Sequence, residues 1–81
     1  MKQYPSLKSA YAKENFEIEL LYENGEKRVY DFKNNLAHPF YRDLNDLDLF
    51  SRLQVVQGEL IWDSGQDFCP YTLYEKSIEI K

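Results

Sequence analysis

Phe16-Glu17-Ile18-Glu19-Leu20-Leu21-Tyr22-Glu23-Asn24-Gly25-Glu26-Lys27-Arg28-Val29-Tyr30-Asp31-Phe32 is the stretch on which the fold of this chain turns. Phe16, Ile18, Leu20 and Tyr22 alternate with Glu17, Glu19 and Leu21, the two-residue period of a strand buried on one face. Asn24-Gly25 follows, a hairpin signal because both residues tolerate a left-handed backbone. A return strand then runs from Glu26 to Phe32. A two-residue loop would set Glu17 opposite Phe32 and Ile18 opposite Asp31. A three-residue loop, Glu23 to Gly25 with Gly25 left-handed at a bulge, pairs Phe16 with Phe32 and Ile18 with Tyr30. Cross-strand packing favours the second register, which gathers aromatic and branched side chains on one face.

Upstream, Leu7, Ser9 and Tyr11 alternate with Lys8, Ala10 and Ala12. This is a third strand, placed at an edge because Pro5 cannot donate a ladder bond. Lys13-Glu14-Asn15 makes the turn into the next strand. Downstream, Lys33 to Pro39 is a connection with room for one helical turn. Phe40, Leu44 and Leu47 fall at i, i+4 and i+7, a helical stripe, and Asn45 or Asp46 caps a short helix ending near Phe50. Leu53, Val55 and Val56 resume strand character. Gln57-Gly58-Glu59 turns, and Leu60-Ile61-Trp62 returns.

Beyond Trp62 the chain turns tightly through Ser64-Gly65, and Asp67 precedes a final helix opened by Pro70, whose fixed φ and missing N–H suit the first helical position. The apolar side of that helix takes Tyr71 or Leu73 with Tyr74. Strands with short helices set apart from them predict an α+β fold. The antiparallel sheet comprises an N-terminal three-stranded meander and a second hairpin, with two or three short helices. No internal repeat or low-complexity segment is apparent.

These readings describe a single domain spanning residues 1–81, with one core and 16% aromatic residues. A chain of this length buries only about 60–65% of its unfolded surface, so modest stability is expected. The net charge of −4 disfavours a phosphate backbone and suits a basic partner. One cysteine forms no intrachain disulfide. Met1 to Pro5 lack a signal peptide's apolar run, and no stretch approaches 18 apolar residues, so a cytoplasmic, membrane-free protein is expected.

The order of these elements resembles a family of small bacterial proteins, domain-of-unknown-function family 2442, across residues 5–75. The resemblance is carried by an early Pro and a strand entering an Asn-Gly turn (Ile18 to Glu26), then by a return ending in Tyr30-Asp31-Phe32. Phe40, Leu44 and Phe50 follow, and last come Trp62, Gly65, Asp67, Pro70, Leu73 and Tyr74. The chain departs from the pattern at Phe32, where Leu is usual, and at Gln66, where an apolar residue often precedes the Asp. On this resemblance Asn24, Gly25, Asp31, Trp62, Gly65, Asp67 and Pro70 are structural motif residues. It implies a small α+β domain without established catalytic residues. Relatives are often encoded beside another small protein, in an arrangement like a toxin–antitoxin pair.

The chemistry-bearing residues read mainly as structure. Asp63 and Asp67 have the look of a general acid–base pair, yet both sit in or beside a connection, where Asp commonly bonds backbone N–H groups. Asp67 is expected to organise the entry to the final helix. Trp62 is a partner anchor or, more often in such a place, a partly exposed core residue. Cys69 at a helix start would have a lowered pKa, but a buried or idle thiol is expected. His38 before Pro39 reads as a loop residue, with no metal-ligand spacing around it. Asp43, Asp46 and Asp48 lack the spacing, central Gly and final Glu of a calcium loop and read as solvated cap residues. The tyrosines lack the basic groove of a single-strand nucleic-acid platform and read as core and rim.

No catalytic set, metal site or cofactor is expected. The function expected is a non-enzymatic protein-binding module, an antitoxin-like inhibitor of a small basic partner. Trp62, Asp63, Tyr71 and Tyr74 are its candidate contacts, and edge-strand pairing or a homodimer are possible modes of association. The alternative is a nucleic-acid-binding or regulatory domain.

Overall fold

A computed structural model describes residues 4–80. Its strands are β1 (Leu7–Ala12), β2 (Glu17–Tyr22), β3 (Lys27–Asp31), β4 (Leu53–Val56), β5 (Glu59–Trp62), β6 (Asp67–Phe68) and β7 (Ile78–Glu79). Between β3 and β4 lie two 3-10 helices, Lys33–Ala37 and Pro39–Asn45, and then α1 (Leu47–Phe50). A second α-helix, α2 (Pro70–Lys76), joins β6 to β7. The α+β class and the antiparallel pairing follow the sequence reading. The meander and the later hairpin form separate sheets, β1-β2-β3-β7 and β4-β5-β6, each extended by a short strand. β1 lies at the edge of its sheet, alongside β4 of the other.

The central hairpin takes the bulged register, with Ile18 opposite Tyr30 and the Phe32 N–H bonded to the Phe16 carbonyl. In its turn the Gly25 N–H donates to the Tyr22 carbonyl and the Tyr22 N–H to the Glu26 carbonyl, both at 2.9 Å. Gly25 sits at φ +90°, where a side chain would be strained. The same pair of bonds recurs between Trp62 and Gly65 and between Trp62 and Gln66, with Gly65 at φ +100°. Glu19-Leu20-Leu21-Tyr22-Glu23-Asn24-Gly25-Glu26 and Glu59-Leu60-Ile61-Trp62-Asp63-Ser64-Gly65-Gln66 are thus chemical equivalents, position by position. This is an internal repeat that the one-dimensional reading passes over.

The turn occurs a third time. The Phe16 N–H donates to the Lys13 carbonyl and the Lys13 N–H to the Glu17 carbonyl. Here Phe16 occupies the left-handed position, at φ +64°. It is therefore a turn residue rather than the first residue of β2. The Asn15 and Asn24 side chains accept the Glu17 and Glu26 N–H groups in the same way.

Two expected faces change. A bulge between Leu7 and Ser9 shifts the phase of β1, so Leu7, Ala10 and Ala12 turn inward while Tyr11 is exposed. The Phe40–Leu44–Leu47 stripe fails because the segment is 3-10 through Asn45, with three residues per turn. Tyr41 and Leu44 pack inward, and Phe40 and Leu47 are exposed. Asp46 caps α1 as expected, accepting the Asp48 N–H at 3.0 Å.

The core joins the inner faces of both sheets. Ile18, Leu20, Tyr22, Tyr30 and Phe32 meet Leu60, Trp62 and Phe68, with Leu44, Phe50 and Leu73 from the helical segments. Phe32 is its hub, with the rings of Tyr41, Phe50, Trp62 and Phe68 centred 5.2–5.8 Å away. Gln66 is buried among these groups, its amide donating to the Phe40 carbonyl and accepting from the Ser64 hydroxyl.

Candidate functional site

A groove of about 710 Å³ opens where β7 stops short. β7 pairs with β3 only at Arg28 and Val29, because the chain enters it directly from the end of α2. Its neighbour is held in place by Arg28, whose guanidinium donates to the Ser77 hydroxyl at 2.6 Å and the Ser77 carbonyl at 2.9 Å. Beyond Val29 the outer edge of β3 is uncovered. Peptide groups alternate in direction along a strand, and Phe32 bonds to β2 while Lys27 bonds toward β7. The Asp31 peptide groups therefore face the groove.

Tyr30, Tyr41 and Phe68 contribute aromatic walls. Burial raises the Tyr30 pKa, partly offset by the hydrogen bond from its hydroxyl to Asn35, 2.7 Å long. Burial also raises that of Tyr41, reinforced by Asp67. The Tyr41 hydroxyl donates to the Asp67 carbonyl at 2.9 Å and so covers the outer edge of β6. At the rim Glu17 and Asp31 stand directly opposite each other on β2 and β3. Two carboxylates at such a pair repel. Each forms one salt bridge with an exposed lysine, Glu17 with Lys13 at 3.8 Å and Asp31 with Lys33 at 3.9 Å.

Cys69 also lines this groove and is exposed rather than buried. It holds the N-cap position of α2 without a formed side-chain hydrogen bond. The Thr72 N–H, then its hydroxyl, nevertheless draw the thiol pKa below 9.0.

The contacts expected from sequence are dispersed. Trp62 is 2% exposed, with its indole N–H on the Phe50 carbonyl, and is therefore no surface anchor. Asp63 is exposed and accepts from the Gln54 amide. Tyr71 is exposed beside the Tyr4 ring at 5.8 Å. Tyr74 is half-buried beneath the Arg28 guanidinium, 4.3 Å from the ring centre, and its hydroxyl donates to Glu26.

Asp67 does not cap the last helix, because it lies in β6, with Cys69 between it and Pro70 at the cap position. Pro70 opens α2 as expected, and Asp31 accepts the Lys33 N–H at the start of the first 3-10 helix. His38 accepts the Phe40 N–H through Nδ1, a cap role. Asp48 pairs with Arg52. Among the described residues no group of three or more His, Cys, Asp or Glu is placed to hold a metal ion, and no helix is long and apolar enough to cross a membrane.

Sequence reasoning missed the groove. The Glu17–Asp31 opposition was implicit in the chosen register, whereas nothing in the sequence pointed to Tyr41. No curated protein and no solved structure matches the chain. The family described as "Protein of unknown function (DUF2442)" matches residues 7–79, nearly the whole length, and the chain belongs to that family.

Proposed function

We propose that this chain is a non-enzymatic protein-binding module of the cytoplasm, an antitoxin-like inhibitor that masks a small basic partner. The observation that carries this reading is the groove beside β3, in which Glu17 and Asp31 stand together at the rim of aromatic walls. A lysine or arginine side chain entering there would relieve the carboxylate repulsion and rest on Tyr30 and Tyr41. The net charge of −4 favours encounter with a basic protein and disfavours nucleic acid.

The test is a tagged pull-down from source cells at low salt, read by mass spectrometry, with Glu17→Gln/Asp31→Asn in parallel. The expected result is one stoichiometric small basic protein, captured by the native chain and largely lost with the double variant. An empty pull-down, nucleic acid alone, or capture indifferent to the double variant would overturn the reading.

A further inference from the structure

We infer that the outer face of the four-stranded sheet is a docking surface for a second copy of this chain, laid face to face with its strands antiparallel. This goes beyond the partner proposed above and does not depend on it.

The argument starts from register. Tyr11, Glu19, Val29 and Ile78 are directly opposite one another across β1, β2, β3 and β7, so their side chains share one face. Ser9, Leu21 and Lys27 form the next row, and Ile80 joins it through its N–H bond to the Lys27 carbonyl. The core residues Ile18, Leu20, Tyr30 and Phe32 occupy the opposite face. The outer face therefore carries an apolar band of Tyr11, Leu21, Val29, Ile78 and Ile80. Ile78 is 70% exposed and Tyr11 66%. A contiguous band of this kind on a small protein marks an interaction surface.

Charge identifies the occupant. The outward residues of β3 are Lys27, Val29 and Asp31: a base, an apolar residue and an acid at even spacing. Four residues of strand separate the two charges by about 13 Å, too far for them to pair within one copy. Among the described residues Lys27 has no salt bridge, and Asp31 has only Lys33 at 3.9 Å. A two-fold axis across the strands at Val29 puts Lys27 of each copy against Asp31 of the other. It also sets Val29 on Val29 and Ile78 on Ile78. The surface is its own complement, as an isologous interface requires. Two residues oppose it: Glu19 meets its own counterpart, moderated by Lys13 at 3.8 Å, and Glu17, in the row of Asp31, falls on the apolar Leu21 of the other copy.

The test is sedimentation equilibrium on the purified chain over a concentration series. The native protein should approach twice the 9.7 kDa chain mass. Lys27→Glu and Asp31→Lys should each weaken self-association about tenfold or more. Mixed in equal amounts, these two variants restore both opposite-charge contacts and should recover the dimer. Glu19→Gln should tighten it. Circular dichroism verifies that each exposed-site variant is folded. A native chain that stays monomeric at every concentration, or a dimer that both single variants leave intact, would overturn the inference. So would single variants whose mixture stays monomeric. Because no other protein is present, failure here is separate from failure of the partner reading.

Discussion

The indole N–H of Trp62 donates to the backbone carbonyl of Phe50 across 2.9 Å, inside the core. That bond ties the end of β5 to the end of α1, two elements that neighbour each other only through tertiary packing. Trp62→Phe should keep most of the ring packing but orphan the carbonyl and leave a void. A loss of about 2–4 kcal/mol in urea unfolding is expected. A loss below about 1 kcal/mol would show that the bond contributes little.

The three bulged turns offer an internal comparison. No atom lies within 4 Å of a Cβ built on Gly25 or Gly65, so alanine there incurs only the left-handed backbone strain. Each should cost about 1–2 kcal/mol. Phe16 already carries that strain, and its ring packs 5.1 Å from Phe50. Phe16→Gly should relieve the strain and still destabilise by about 1–2 kcal/mol, because the lost packing is larger. Urea midpoints of the three variants check this ordering.

Tyr22 is the exception in an otherwise satisfied core. Its buried hydroxyl has no hydrogen-bond partner among the described residues, and burial pushes its pKa to about 12. Tyr22→Phe should therefore raise stability at neutral pH, by up to about 1 kcal/mol. In the native chain the unfolded state ionises first as pH climbs past 10.0, so stability falls between 10 and about 12. The variant should lose less over that range in an alkaline denaturation series.

Acid behaviour turns on Glu26. The Asn24 amide, the Tyr74 hydroxyl and the Arg28 guanidinium all bond its carboxylate and hold its pKa below 4.5. A group depressed in the folded state contributes stability above its unfolded pKa and loses it as pH falls through the folded value. Glu26→Gln should thus be less stable at neutral pH and show a shallower decline below pH 4.5. Urea midpoints across that range measure both effects.

Cys69 is exposed and its thiol pKa is lowered chiefly by the Thr72 N–H. The native protein should react fully with a thiol reagent without denaturant, with a rate midpoint below pH 9.0. Thr72→Val removes the hydroxyl contribution and should move that midpoint upward.

Phe16 to Phe32 and Leu60 to Tyr74 show how far local pattern reaches. Alternation, Asn24-Gly25 and Pro70 act over a few residues, so β1 to β5, the bulged register and the start of the last helix were legible in the sequence. The two-residue strands β6 and β7 are too short to carry a period and were not. Repeated as Trp62 to Gln66, the turn was also legible, but only once its hydrogen bonds showed which positions correspond. The bulge in β1, the 3-10 period around Tyr41 and the left-handed Phe16 were not. Each is a local departure that packing against another element makes favourable.

What the sequence determined by itself is a set of amphipathic strands joined by turns with their own backbone preferences. Burial and placement were decided by the tertiary structure. Packing of both sheets around Phe32 put Trp62 inside, left Cys69 and Ile78 outside, and opened the groove where β7 ends. The physical reason is range: strand period and turn geometry depend on neighbours in the chain, whereas exposure depends on contacts between residues remote in sequence.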